Sequence, residues 1–215
     1  MQENFIQKIR QWDVYLVIGL YGYNGLTSLE IIQKAIKGGV KVVQIREKMI
    51  TDEEFILLSH PIRRLCKENQ VVFIVNDRVQ AAVELDADGV HVGQDDMPGS
   101  EVRKWMGSRI LGISASSIDE ARKAIAEGAD YLGVGSIYPT NSKADAGEAV
   151  TPLLIKQIRE FTDIPIVGIG GINETNAANV ILAGAESVAV ISAICHANDP
   201  YTATNKLVGE IQKLK

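Results

Sequence analysis

Short runs rich in valine and isoleucine recur along the chain, separated by stretches in which apolar residues return every three or four positions. The first pattern reads as buried β-strand and the second as amphipathic helix. Eight strands are predicted: VYLVIG (14–19), VKVVQIR (40–46), VVFIVN (71–76), GVHVG (89–93), RILGIS (109–114), YLGVGSI (131–137), IPIVGIG (164–170) and SVAVIS (187–192). Helical stretches lie between them, among them SLEIIQKAIKGG (28–39), SIDEARKAIAEGAD (117–130) and NETNAANVILAGAE (173–186). The last two open on residues suited to capping, and Asp119 and Glu120 put negative charge where the helix dipole favours it. Strict alternation of strand and helix favours parallel strands joined by right-handed crossovers.

Three segments strengthen that reading. AIKGGVKVVQI, AIAEGADYLGVG and ILAGAESVAVI each end a helix on glycine and enter a strand a few residues later, which is the joint of a repeated βα unit. Eight such units close into a (β/α)8 TIM barrel, here expected as a single domain over residues 1–215, with its active site at the C-terminal ends of the strands. An open doubly wound sheet is the rival fold. Its dinucleotide-binding form prefers Gly-x-Gly-x-x-Gly after the first strand, and IGLYGYNG does not supply it.

Composition narrows the function. A net charge of −5 argues against a general nucleic-acid binder, which must neutralise many phosphates. Two cysteines, Cys66 and Cys195, are too few for a disulfide framework. The stretch VYLVIGLYGY is short and broken by glycine, so neither a signal peptide nor a membrane span is expected, and cytoplasmic residence follows. A small anionic substrate would need concentrated local cations or a metal, because the overall field opposes it.

Polar residues collect where the predicted strands end. Gln44 shares the parity of Arg46 at the end of the second strand, and Lys48 follows; with Lys143, beyond the sixth strand, they offer an amide and three cations to a polyanion such as diphosphate. Asp77 after the third strand and Asp96 after the fourth are oxygen ligands suited to Mg²⁺, with Asp95 competing for the second position. In PIVGIGGIN, glycines at 168, 170 and 171 precede a helix expected to begin near Asn173, an arrangement that aims backbone N–H groups at a phosphate, and Ser192 is a candidate partner. His91 falls inside a strand, where alternation places it among core or supporting positions rather than as a base. Cys195 has no evident base beside it, and Trp12 and Trp105 read as structural. Tyr21 and Tyr23 follow the first strand, where an aromatic could cover a planar substrate.

Taken together, VQIREK (43–48), FIVND (73–77), DGVHVGQDD (88–96), LGISA (111–115), GADYLGVGSIYPTNSK (128–143), PIVGIGGI (165–172) and VAVISAI (188–194) resemble the thiamine-phosphate synthase family in nearly every βα unit. The resemblance implies a Mg²⁺-dependent barrel transferase that joins 4-amino-2-methyl-5-hydroxymethylpyrimidine diphosphate to 4-methyl-5-hydroxyethylthiazole phosphate and releases diphosphate. It implies that Gln44 recognises the aminopyrimidine, that Arg46, Lys48, Asn76 and Lys143 hold the diphosphate, and that Asp77 and Asp96 hold the metal. Ser114, Thr140 and Ser142 would add hydroxyl contacts, and the thiazole phosphate would meet Gly171, Ile191 and Ser192. No nucleic-acid or membrane partner is implied, and no oligomeric state is fixed.

The chain departs from the family at three places. Ser142 stands where threonine is frequent, ADAG (144–147) is smaller and less charged than in many relatives, and VIG (17–19) lacks the Thr-Asp ending often found on the first strand. A thiazole tautomerase of the same superfamily need not keep the diphosphate set, which is complete here. A non-catalytic barrel would lose its charged rim, and sugar-isomerising or indole-forming barrels would need a placed acid and base.

Overall fold

A computed structural model describes residues 7–140, 142 and 148–215. Among them, strands β1 (Asp13–Ile18), β2 (Val42–Ile45), β3 (Val72–Asn76), β4 (Gly89–Val92), β5 (Ile110–Ala115), β6 (Tyr131–Val134), β7 (Ile166–Ile169) and β8 (Ser187–Val190) run parallel in sequence order. β8 pairs with β1, so the sheet is the expected closed barrel. Helices α1 (Ser28–Gly38), α2 (Asp52–Glu68), α3 (Val79–Glu84), α4 (Gly99–Met106), α5 (Ile118–Ala126), α6 (Thr151–Arg159) and α7 (Ala177–Leu182) fill the crossovers; α8 (Ser192–Cys195) and α9 (Pro200–Gln212) follow β8. No described helix is long and apolar enough to cross a membrane.

The predicted runs outlast the hydrogen-bonded ladders, which matters for the site. β2 stops at Ile45, so Arg46 stands on the loop, tied back through its N–H to the Ile18 carbonyl at 3.0 Å. β6 stops at Val134, after which Gly135 crosses so near β7 that a Cβ there would lie 2.1 Å from the Ile169 carbonyl oxygen. Ser192 is the first residue of α8 rather than the last of a strand. Local signals explain the helix ends well. Thr27 and Glu30 form a reciprocal capping box on α1, and Ser117 accepts from the Glu120 N–H at 3.1 Å to start α5. The helix expected from Asn173 begins only at Ala177. Asn176 accepts from the Asn173 N–H at 2.9 Å and donates to the Gly171 carbonyl at 3.0 Å, holding the intervening residues in a turn.

Strand alternation divides the core in two. Leu16, Val43, Phe73, Leu111, Leu132 and Val188 face the helices. Tyr15, Val17, Val42, Ile74, Ile110, Tyr131, Val167 and Ala189 fill the barrel, with Trp12 closing its N-terminal end. Trp12 meets Tyr15 and Tyr131 edge to face at centroid distances of 5.7 and 5.3 Å, the structural role its sequence context suggested. Small residues make room for these rings. A Cβ on Gly112 would lie 2.2 Å from Tyr131 Cζ, and one on Gly133 would lie 2.7 Å from His91 Cε1.

A clasp recurs at the N-terminal end of the barrel. Asp88, Asp130 and Glu186, the residues just before β4, β6 and β8, accept from the backbone N–H groups of Phe73, Leu111 and Ile166 on the preceding strand at 2.8, 2.8 and 2.7 Å. Each also pairs with an arginine of a flanking helix: Arg63 of α2, Arg103 of α4 and Arg159 of α6. A hydrogen bond to a charged acceptor contributes more than a neutral one, so each clasp ties two strands and a helix together.

Candidate active site

The C-terminal ends of the strands open into a cleft of about 370 Å³. One wall comes from the ends of β2, β3 and β4. Arg46 and Lys48 reach it from the loop after β2, and Asn76, nearly buried, is the last residue of β3. Asp77 follows in a left-handed conformation, with φ of 60°, which aspartate tolerates better than most residues. Its N–H donates to the His91 carbonyl at 2.9 Å, fixing the turn to β4.

Asp77 and Asp96 face one another from the ends of β3 and β4. Burial, and then the neighbouring Asp96, push the Asp77 carboxyl up to about 6, against the pull of Lys48, whose Nζ lies 3.4 Å from Asp77 Oδ2. Asp96 Oδ2 also accepts from the Gly93 N–H at 2.7 Å, which holds it over the cleft. Of the two adjacent aspartates, Asp96 is therefore the one that meets Asp77; Asp95 is exposed at the cleft edge. Two facing carboxylates are a donor set suited to a hard divalent cation, which relieves their mutual repulsion. Among the described residues no cluster of three or more His, Cys, Asp or Glu side chains is gathered for a metal, so a cation here would complete its shell with phosphate oxygens and water.

The opposite wall comes from the loops after β6, β7 and β8. Ser142 donates from its backbone N–H to Thr140 Oγ1 at 3.2 Å and from its hydroxyl to Ser192 Oγ at 3.1 Å, so three hydroxyls from two loops meet beside the glycine turn. Gly170 and Gly171 take φ of 101° and 63°, and a Cβ on Gly171 would lie 2.7 Å from the Pro139 carbonyl oxygen. These two glycines are required by conformation and by closeness alike. The carbonyl of Gly170 accepts from the Tyr138 N–H at 3.0 Å and that of Gly171 from Asn176. Ile191, the residue before α8, also lines this wall. Because α7 starts at Ala177 and is short, the contribution expected from an adjacent helix terminus is not present; the turn's own backbone is what faces the cleft.

Between the walls a line of polar groups descends into the barrel. Ser114 Oγ lies 2.9 Å from His91 Nε2, His91 Nδ1 lies 2.9 Å from the Tyr131 hydroxyl, and that hydroxyl lies 3.0 Å from the hydroxyl of Tyr15. Tyr15 in turn accepts from Gln44 Nε2 at 2.5 Å. Burial raises the pKa of both phenols, so both stay protonated. Gln44 is thus deeper than the rim residues with which it shares a motif. Sequence reading passed over Tyr15 and Tyr131, since an aromatic ring within an apolar run reads as core; the available signal was their inward parity.

Lys143, along with Asn141, lies outside the described residues. Tyr21 and Tyr23 do not line the cleft: Tyr21 is exposed and donates to Glu54 Oε1 at 3.2 Å, while Tyr23 packs on the His196 ring at 5.2 Å. Cys195 is buried, which pushes its thiol up to about 12 and away from nucleophilic use. The cleft thus carries acids and cations on one wall and hydroxyls and a glycine turn on the other.

Comparison with known proteins gives a consistent picture. The sequence model of a family described as thiamine monophosphate synthase matches residues 14–194. A thiamine-phosphate synthase of Moorella thermoacetica is 48% identical over 198 residues, covering 92% of this chain and 94% of the relative. One from Bacillus cereus is 46% identical over 214 residues, covering 97% and 98%. The solved structure of a thiamine phosphate pyrophosphorylase from Pyrococcus furiosus superposes with a TM-score of 0.86 at 33% identity, covering 97% of this chain and 98% of that one. A 3-hexulose-6-phosphate synthase superposes with a TM-score of 0.71 at 17% identity, a likeness of fold alone.

Proposed function

We propose that this chain, which belongs to the thiamine monophosphate synthase family and is a transferase of that activity, joins 4-amino-2-methyl-5-hydroxymethylpyrimidine diphosphate to 4-methyl-5-hydroxyethylthiazole phosphate, with Mg²⁺ and with release of diphosphate. The observation that carries the reading is the division of one cleft into two unlike walls, the Asp77–Asp96 pair with Arg46 and Lys48 on one and the Gly171 turn with Thr140, Ser142 and Ser192 on the other.

In this reading Gln44 contacts the aminopyrimidine, while Arg46, Lys48, Asn76 and Lys143 hold its diphosphate and Ser114 adds a hydroxyl. Asp77 and Asp96 hold Mg²⁺, which when bound screens the charge of the diphosphate. The thiazole phosphate meets the backbone of Gly171, Ile191 and Ser192 and the hydroxyls of Thr140 and Ser142; the outward engagement of the Gly170 and Gly171 carbonyls supports a turn whose N–H side serves the ligand.

The methylene–oxygen bond breaks largely before the new bond forms. The electron-rich aminopyrimidine shares the positive charge left on the methylene carbon, the bonding pair departs with the diphosphate, and the thiazole nitrogen attacks that carbon. No protein nucleophile takes part. The protein positions two substrates and stabilises charge that develops on the leaving oxygen.

Incubation with both substrates and Mg²⁺ tests the activity. Thiamine phosphate and diphosphate should appear in equal amounts, and pyrimidine diphosphate consumed without coupling would refute the reading. Lys143→Met tests the mechanism, since it roughly keeps length and removes charge. Single-turnover rates at saturating substrates should fall more than diphosphate affinity; an unchanged chemical rate with weakened binding would make Lys143 a ground-state anchor.

A further inference from the structure

We propose that Tyr15, Tyr131, His91 and Ser114 form a one-directional hydrogen-bond relay that fixes which end of the Gln44 amide is presented to a ligand, and that the relay thereby selects an amino-bearing pyrimidine over its oxo counterpart. The inference rests on the reading of Gln44 as the pyrimidine contact, and deepens it.

The direction follows from counting hydrogens. Gln44 Nε2 donates to the Tyr15 hydroxyl at 2.5 Å, so the single hydrogen of Tyr15 is left for the Tyr131 oxygen at 3.0 Å. Tyr131, having accepted, donates to His91 Nδ1 at 2.9 Å. Nδ1 then accepts, which leaves the ring hydrogen on Nε2 to donate to Ser114 Oγ at 2.9 Å. The hydroxyl hydrogen of Ser114, a residue of the cleft wall, remains for a ligand oxygen.

The links cannot reverse one at a time. Rotating the Gln44 amide to bring Oε1 against Tyr15 requires both phenols to turn, the His91 proton to move to Nδ1 and Ser114 to become the donor. A partial reversal sets two donors or two acceptors face to face in the barrel interior, where an unsatisfied polar group costs about 1–3 kcal/mol. The interior is shaped for the arrangement: at Gly112 a Cβ would lie 2.4 Å from the Tyr131 hydroxyl and 2.5 Å from His91 Nδ1.

With the relay in this direction the amide offers a ligand the oxygen Oε1 as acceptor beside the second hydrogen of Nε2 as donor. The edge of a 4-aminopyrimidine presents an N–H donor beside a ring-nitrogen acceptor, the matching pattern. A 4-oxo analogue presents a carbonyl acceptor beside a ring N–H, which matches only the rotated amide. Selectivity thus lies in the relay as much as in Gln44 itself, and Tyr15, Tyr131 and His91 are positioning residues.

The test compares KM for the amino substrate and for its 4-oxo diphosphate analogue. The parent enzyme should favour the amino form. Tyr15→Phe, which frees the amide to rotate, should lower the ratio of the two KM values by about tenfold, equal to about 1.4 kcal/mol, and Tyr131→Phe, which cuts the relay one link further on, should lower it less. A ratio unchanged in folded Tyr15→Phe overturns the proposal, because a residue that only fills the core would shift both KM values together. Nitrogen-15 NMR of the parent protein needs no variant: His91 should carry its proton on Nε2, and a proton on Nδ1 overturns the relay whatever the substrate. Gln44→Leu separates the parent reading. If it leaves KM for the aminopyrimidine unchanged, Gln44 is not the contact and the selectivity claim falls with it, while the NMR result still decides the direction of the relay.

Discussion

At the N-terminal end of the barrel, Asp88, Asp130 and Glu186 each pair with an arginine and a backbone N–H, whereas at the C-terminal end Asp77 and Asp96 stand against each other, Asp77 beside Lys48 and Asp96 on the Gly93 N–H. The residue types are the same at both ends. What differs is how the charge is balanced. Clasped carboxylates are satisfied by an arginine and hold strands to helices, whereas the facing pair crowds two carboxyl groups together, which holds the Asp77 carboxyl up despite Lys48 beside it. The same contrast between a stabilising face and a working face is general to barrels of this class.

Substitutions at the two ends should therefore separate activity from stability. The largest effect is expected at the acidic pair. Asp77→Ala or Asp96→Ala should lower Mg²⁺-dependent kcat/KM by more than the roughly 100-fold that loss of a partner one layer outside a metal shell can cost, with little change in melting temperature. A folded variant that keeps normal turnover and Mg²⁺ dependence would remove that aspartate from the metal site.

Across the cleft, Gly171→Val places a β-branched residue at φ of 63° with its Cβ 2.7 Å from the Pro139 carbonyl oxygen. Binding of thiazole phosphate should weaken by about tenfold or more, since even 1.4 kcal/mol of strain has that effect. Affinity for the pyrimidine diphosphate should change less. Separate titrations of the two ligands check this, and equal thiazole-phosphate affinity in variant and parent would count against the assignment.

The smallest effect on function belongs to the other end. Asp130→Ala strands the Leu111 N–H and leaves Arg103 without its carboxylate, so unfolding free energy should fall by about 1–3 kcal/mol while turnover at moderate temperature stays close to that of the parent. Urea titration gives the first quantity. A large loss of turnover in the folded variant would mean that the two ends are coupled.

The barrel itself was legible in the sequence because strands buried on both faces read as valine- and isoleucine-rich runs, and because the helix-to-strand joint recurs. Rim residues such as Arg46, Asp77 and Ser114 were legible for the related reason that a polar residue ending an apolar run has few places to go but the mouth. Strand ends were less so: Ser192 continued an apolar alternation yet opens a helix, and the Asn173 segment carried helix-favouring neighbours but is held as a turn by Asn176. The clasps were missed, since Asp88, Asp130 and Glu186 are single charges in turns whose partners lie 15, 19 and 20 residues away on another strand. That Asp96 rather than Asp95 turns in towards Asp77 depends on the Gly93 contact, which spacing does not reveal.

The hydroxyls of Tyr15 and Tyr131 meet across 116 residues of chain. Local helices and neighbouring strand pairs form without bringing them together, whereas this contact requires most of the barrel to have wrapped round. The contact is therefore expected to form late in folding. Tyr131→Phe should leave the refolding rate nearly unchanged and raise the unfolding rate, as expected for an interaction absent from the transition state; a slowed refolding limb would show instead that the ring closes early. The polar thread through the barrel would then act as a kinetic latch, delaying the reopening of a barrel that has already closed.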